Sequence, residues 1–492
     1  MVASLVGPRD LRAFCALLES RAGLYRIPTP VASNGEIGEI ARRVGRRGGP
    51  ALLFERVDER STPILANPFG TAERLALGLG VSTLDDISDL VADPLHVLRS
   101  PATGGMTDRL RRFGEMSQVS RLAPRIVDRA AVQEVRNLRP SLADLPFIDL
   151  DGTGTRSFSL ALLMQCDPET GESWATTASG SILDDRRIAL TLSHDRATEC
   201  PKVLPGPTSN GARENAPTKP SIENRRPAVI AIGLDAASLL VHLVRLPAHI
   251  DPWALAGSIR RAPIDLARSS TIDIPTPGHA EIILEGYVEN TESPGDAGRT
   301  ASASTRTERI FNLTGLSHRR DPILVASVGD RASADERCLR RALERLLLPL
   351  VRDLQPDIVD LSFPIDSDSR GVVLVSIRRR SASAATSVIA SILGCVSMMT
   401  ANVVIVFDEE IDLRDATACA LELTRNVDWN RDVSLLNGRS SVGHGGIARI
   451  GINATDIGHA SGARSDRSIN RADRERISAI VDQKWASYGI PL

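Results

Sequence analysis

Along residues 9–100 the apolar positions switch between two periods. DLRAFCALLESRAGLYRI and EIGEIARRVGRRGG repeat their apolar residues every three or four positions, as a helix buried by one face does, whereas ALLFERV is a short unbroken apolar run of the kind a buried strand shows. ERLALGLGV returns to the helical period. The pattern predicts an N-terminal α/β domain over residues 1–114. From 115 to 328 the helical period weakens. The runs FSLALLMQC, RRIALTLSH, AEIILEGYV and RIFNLTGL are separated by polar or Gly/Pro turns, which predicts a β-rich central domain. Over 329–460 DERCLRRALERLLLPLVRDL reads as an amphipathic helix, and DIVDLSFP, GVVLVSIRRR and NVVIVFDEE read as strands of a second α/β domain.

Three stretches interrupt this plan. Residues 200–227 combine prolines with Gly, Asn and Ser, a composition expected of a mobile surface insertion. Residues 461–492 are polar and charged and read as a peripheral tail. Ser381 to Phe407 carries no charged residue and is long enough to mimic a membrane span. Its first part is rich in Ser and Thr and its end, VVIVFDEE, looks like a buried strand, so the expectation is helix followed by strand and no membrane contact.

At 492 residues the chain is too long for one core and is expected to form two to three domains. With only 3% aromatic residues the interior must be aliphatic. Lys plus Arg (59) nearly balances Asp plus Glu (61), so the net charge of -2 offers no pull toward nucleic acid or anionic membranes. Six scattered cysteines without a C-x-x-C pair argue against a disulfide framework or a zinc knuckle, which suits a reducing cytoplasm. The N-terminus MVASLVGPRDLRAFCALLES has no unbroken apolar stretch of the secretory kind. No G-x-G-x-x-G precedes a helix, so a nicotinamide-dependent oxidoreductase is disfavoured.

Ordered along the chain are GPALLFERV, NPFGTAERLALGLG, DPETG (167–171), AEIILEG (280–286) and HRRDPI (318–323), with a weaker continuation through LLLPLVRDLQPDIVDL and VVIVFDEEIDLRD to GIARIGINAT (445–455). In order and spacing this set resembles the UbiD family of prenylated-flavin-dependent decarboxylases over roughly nine-tenths of the chain. The resemblance implies an N-terminal α/β domain, a central flavin-reductase-like split β-barrel holding prenylated FMN, and a C-terminal α/β domain that supports a homo-oligomer. It also implies Mn or Mg bridging the flavin phosphate, a flavin prenyltransferase as cofactor supplier, and a small unsaturated or aromatic carboxylic acid as substrate. The matching stretches are mostly strand cores and tight turns, which speak to ancestry before catalysis.

At the chemical positions the chain departs from what the resemblance implies. After DPETG, Trp174 stands where an Asn metal ligand is implied and Ser179 where an Arg is, and an indole offers only an N–H donor. His194 and Asp265 are the remaining candidate metal ligands, each with a plain alternative, a strand-end histidine and a capping or solvated carboxylate. Gln165, Ser179, Ser181 and Arg449 are the candidate cofactor contacts. Asp296 falls on the first catalytic acid and Ala301 on the second, which removes the proton donor, and in SPGD an acid also serves simply to shape a turn. Two functions therefore stand: a carboxy-lyase with a rebuilt centre using Asp296, and a non-catalytic UbiD-like subunit or ligand-binding paralogue that supports an active partner.

Overall fold

The computed structural model describes residues 6–58, 62–99, 121–150, 152–166, 173–192, 225–248, 250–293, 306–328, 333–364, 371–378, 380–381, 383–398, 401–436, 449–456 and 483. The chain divides into a unit over 1–455 and a second over 456–492, and the architecture that follows belongs to the first. The insertion expected at 200–227 lies outside the described residues up to 224, and its last three residues already open a barrel strand. The expected tail at 461–492 lies outside them apart from Gln483.

Nineteen strands and nine α-helices are described, in three main sheets and one small one. The N-terminal sheet runs β1 (Leu24–Ile27), β2 (Ala51–Phe54), β3 (Ile64–Ala66) and β14 (Leu324–Ala326). Its last strand comes from HRRDPILVA, on the far side of the barrel in sequence, and pairs parallel to β3 as Leu324↔Ile64 and Ala326↔Ala66. Helices α1 (Leu11–Ser20), α2 (Glu36–Arg46), α3 (Ala72–Leu79) and α4 (Asp86–Arg99) belong to this part. Side-chain carboxylate or hydroxyl caps from Asp10 and Thr71 start α1 and α3, each accepting the N–H three residues on.

The centre is a closed barrel. Strands β12 (Ile282–Ser293), β9 (Arg225–Ile232), β6 (Ser157–Cys166), β7 (Ser173–Ile182), β8 (Arg187–Leu192) and β13 (Arg306–His318) follow one another, and the long antiparallel ladder from Ile282↔His318 to Ser293↔Arg306 closes the ring. A period of two decides which residues fill it. Phe158, Leu163, Ile188, Ile230, Leu284 and Phe311 point inward and are buried. On β6 and β9 the outward residues Leu162, Met164, Val229 and Ala231 are apolar as well, and they join the larger core that includes Leu239 and Leu240 of helix α5 (Ala236–Val241). Strands β7 and β8 differ: their outward positions include the hydroxyls of Ser179, Ser181 and Thr191. That change of polarity leaves one stretch of the barrel wall uncovered by the core.

A small sheet of β11 (Pro275–Pro277), β10 (Asp265–Arg268) and β4 (Arg125–Val127) lies beside helix α6 (Pro252–Arg260), while β5 (Val135–Asn137) extends the barrel sheet from β13. The C-terminal sheet runs β15 (Ile358–Ser362), β16 (Val372–Ile377), β17 (Val403–Asp408), β19 (Arg449–Asn453) and β18 (Val433–Leu436), with α7 (Ala334–Leu354), α8 (Ala384–Gly394) and α9 (Ala416–Asn426). The uncharged stretch 381–407 is thus α8 followed by β17. Among the described residues no helix is long and apolar enough to cross a membrane.

Candidate functional site

The uncovered barrel wall forms one side of an open cleft of about 230 Å3. Ser179 and Ser181 lie two residues apart on β7 and so share a face, with Thr191 of β8 opposite Ser179 and Ser157 of β6 opposite Ser181. A β-bulge between Phe158 and Ala161, with Leu160 at φ 53°, turns Ser159 to the same cleft. Ser327, just after β14, and Glu336, in the first turn of α7, complete the far side.

A chain of hydrogen bonds fixes that far side. The Ser327 N–H donates to Ser159 Oγ (3.0 Å), and the Ser327 hydroxyl donates to Ser333 Oγ (2.6 Å). Ser333 caps α7 in a capping box: its Oγ accepts the Glu336 N–H at 3.0 Å, and Glu336 Oε2 accepts the Ser333 N–H at 2.9 Å. The neighbouring Asp335 is fully buried and accepts the Phe69 N–H at 2.6 Å. Burial away from water pushes its carboxyl up to about 6. Glu336 is the one ionisable side chain among the described residues lining the cleft, the others being hydroxyl-bearing, apolar or glycine.

Of the four expected cofactor contacts, the structure brings Ser179 and Ser181 together in the cleft and places Gln165 and Arg449 elsewhere. Gln165 is buried near the other end of β6, opposite Trp174 and Ala228; eight residues of strand separate it from Ser157, about 26 Å at the usual rise. Arg449 opens β19 in the C-terminal sheet, and its Nη1 donates to the Leu393 carbonyl at 2.7 Å. Neither lines the cleft. His194 and Asp296 lie outside the described residues. Asp265 opens β10, and its Oδ2 lies 3.0 Å from His279 Nε2, so a histidine the sequence reading did not single out takes that carboxylate.

The fit of the two implied groups differs. Among the described residues no cluster of three or more His, Cys, Asp or Glu is placed to hold a metal ion, and Asp265 is already engaged by His279. The described residues therefore assemble no metal-holding set, and His194 lies outside them. The cleft fits part of a flavin: its hydroxyls can donate to phosphate or carbonyl oxygens and Leu150 and Val328 border it, while its volume of about 230 Å3 lies below the roughly 300–1,000 Å3 of ordinary small-molecule pockets.

The sequence motifs hold the frame around this cleft. Glu281 of AEIILEG, fully buried, accepts Arg12 Nε (3.0 Å) and Nη2 (2.9 Å), Arg319 Nη1 (3.3 Å) and the Ile323 N–H (3.0 Å). Glu285 of the same motif accepts the N–H groups of Ser270 (2.8 Å) and Thr271 (2.6 Å). In NPFG, Asn67 at φ 53° donates Nδ2 to the Ala41 carbonyl (2.7 Å) while its own carbonyl accepts Arg74 Nη2 (3.2 Å). Ser157, Ser159, Thr191, Ser327 and Glu336 were absent from the sequence-derived set. Only Glu336 had a readable signal, the S-x-x-E of Ser333-Ala-Asp-Glu336 ahead of an apolar run.

Comparison with known proteins agrees with this frame. Three family models match in order: the 3-octaprenyl-4-hydroxybenzoate carboxy-lyase N-terminal domain over 15–93, its Rift-related domain over 125–331, and its C-terminal domain over 337–452. An uncharacterized protein of Archaeoglobus fulgidus is 28% identical over 432 residues, covering 87% of this chain and 86% of its own. One of Aquifex aeolicus is 26% identical over 497 residues, with 98% and 99% covered. Among solved structures, the vanillic acid decarboxylase of Sedimentibacter hydroxybenzoicus in closed form superposes with a TM-score of 0.73 at 19% identity, covering 96% of this chain and 98% of that one. HmfF, a UbiD-class enzyme of Pelotomaculum thermopropionicum, in an evolved dimeric form with prFMN, gives 0.67 at 20% identity, with 95% and 100% covered. With all three of its domain models matched in sequence order, the chain belongs to the UbiD family of carboxy-lyases.

Proposed function

We propose that this chain is a UbiD-class carboxy-lyase that binds prenylated FMN and a small unsaturated or aromatic carboxylic acid in the cleft beside β7 and β8. The observation that carries the reading is the convergence of Ser179 and Ser181, from the strand that follows DPETG, on one hydroxyl-lined cleft in a barrel of this family. When bound, prenylated FMN supplies the electron sink for carbon–carbon cleavage. Ser157, Ser159, Ser179, Ser181 and Thr191 would hold it by hydrogen bonds, with Leu150 and Val328 bordering the cleft. His194 and Asp296 stay in the proposal as a metal ligand and an acid, as do a flavin prenyltransferase as cofactor supplier, a cytoplasmic site of action and a homo-oligomer.

A second reading is favoured by one residue. Ser179 stands in the cleft wall at the position where the resemblance implies an arginine, so a carboxylate there meets a hydroxyl in place of a cation. A ligand-binding subunit that supports an active partner meets that geometry without needing acid–base chemistry. Replacing Ser179 and Ser181 together with Phe fills the wall and tests the cleft itself. Loss of bound flavin from a folded variant supports the site, and full retention removes it.

A further inference from the structure

Resting on the reading of the cleft as a flavin site, the register of β6 carries one step more. Successive residues of a strand face opposite sides, yet β6 changes phase part-way along. Before the bulge the even position Phe158 fills the barrel; beyond it the odd positions Ala161 and Leu163 do. On the outer side Ser157 and Ser159 line the cleft, while Leu160, Leu162 and Met164 pack on the larger core. The change falls between the pairs Phe158↔Gly180 and Ala161↔Ala178, where Ser159 and Leu160 together stand against Ser179. Leu160 makes the change by standing at φ 53°, a left-handed backbone that a leucine rarely adopts. The first half of the strand is fixed sterically as well. A Cβ on Gly180 would lie 2.4 Å from Phe158 Cζ, so the inward ring takes the space that a side chain at 180 would need.

We propose that Leu160 is the positioning residue of the cleft: its left-handed backbone sets the face on which Ser157 and Ser159 stand, and with it the affinity for the flavin. Leu160 does not line the cleft and acts through the two serines. Were β6 to run without a bulge in the phase of Ala161 and Leu163, both serines would turn into the apolar barrel and Phe158 would turn out into the cleft. Hydroxyls buried there without partners disfavour that register, whereas the left-handed leucine disfavours the observed one. The observed register is held from both sides. Phe158 is seated against Gly180, and Ser159 Oγ accepts the Ser327 N–H at 3.0 Å. Ser327 donates in turn to Ser333, the cap of α7, so the bulge joins the barrel wall to the far side of the cleft.

The test uses the full chain and FMN as the probe, titrated by flavin fluorescence, with thermal denaturation alongside. Leu160→Ile keeps the apolar volume, but its β-branched side chain is ill suited to the left-handed region. Leu160→Gly gives up the packing and adopts that region freely, and Leu160→Ala gives up the packing while keeping the backbone penalty. Positioning predicts that FMN affinity falls in the order Gly, Ala, Ile, with Gly within about twofold of the parent chain and Ile weaker by roughly tenfold, the effect of two lost hydrogen bonds. A packing role predicts the reverse order, and finding it overturns the proposal. Leu160→Gly is also expected to melt roughly 1–3 °C above Leu160→Ala, the opposite of their order at an ordinary strand position. Should Leu160→Ile fail to fold, the Gly and Ala variants decide by the same two orders. No FMN binding by the parent chain removes the flavin reading and the proposal's claim on affinity with it, whereas FMN binding in the packing order overturns the proposal and leaves the flavin reading standing.

Discussion

Arg12 of the first helix grips both carboxylate oxygens of Glu281, 269 residues further along the chain, at 3.0 and 2.9 Å. The same guanidinium also donates to the carbonyls of Arg320 (2.9 Å) and Asp321 (3.1 Å), so it clasps AEIILEG and HRRDPI at once. Two of the motifs that mark the family are therefore halves of one structural clasp. Glu281 is wholly buried and Arg319 supports it from the other side at 3.3 Å. Replacing Arg12 with Ala leaves a buried carboxylate with one cation fewer and is expected to cost about 3 kcal/mol in chemical unfolding. Pairing that change with Glu281→Gln is expected to cost less than the sum of the two, as a double-mutant cycle measures.

Gly286 ends AEIILEG for a steric reason. At the bulge in the β12–β13 ladder, a Cβ on Gly286 would lie 2.0 Å from the Asn312 carbonyl oxygen, which forces the strands apart. Gly286→Ala is expected to destabilise by about 2–4 kcal/mol or to prevent folding, measured by thermal denaturation. Gly394→Ala is the control: it ends α8 with open space around it and is expected to be neutral or slightly stabilising.

Asp335 makes stability depend on pH in the direction opposite to an ion-paired acid. Its carboxyl is raised from 3.8 to about 6 by burial, so in the window between those values the folded chain binds more protons than the unfolded one. Stability attributable to this group is full below pH 4, falls as pH rises through 4 to 6, and stays reduced above. Asp335→Asn keeps an acceptor for the Phe69 N–H and has no charge to bury. Its stability relative to the parent chain is expected to improve by up to about 3 kcal/mol between pH 4 and pH 8 in urea unfolding. An unchanged difference across that range would contradict the assignment.

Asp265 is expected to be irrelevant to metal content, because His279 already occupies its Oδ2 at 3.0 Å. Asp265→Ala should leave manganese in the purified chain unchanged by elemental analysis. A drop would return Asp265 to the metal shell and favour the sequence-based pairing with His194.

Much of the fold was legible because long apolar runs carry their own period. FSLALLMQC, AEIILEGYV and RIFNLTGL became barrel strands β6, β12 and β13, and SASAATSVIASILG followed by NVVIVFDEE became α8 and β17. Less legible was the return of HRRDPILVA to the N-terminal sheet as β14, since pairing to a strand some 260 residues earlier leaves no local trace. The site was legible only in part. Of the residues read as cofactor contacts, Ser179 and Ser181 line the cleft, β6 carries Gln165 away from it and Arg449 sits in another sheet. Serines such as Ser157 and Ser159 carry no pattern of their own, and Ser159 joins the cleft through a bulge that changes the face it presents. Glu336 showed a capping signature, but a cap alone does not say what its free side faces.

The account turns on whether the cleft takes the cofactor. The direct measurement is to co-express the chain with a flavin prenyltransferase, purify it without oxygen, and identify the bound flavin by absorbance and mass spectrometry. The account predicts one prenylated FMN per chain, lost in the Ser179→Phe, Ser181→Phe double variant. A well-folded chain that carries no flavin would contradict the carboxy-lyase reading and leave the ligand-binding subunit as the function of this fold.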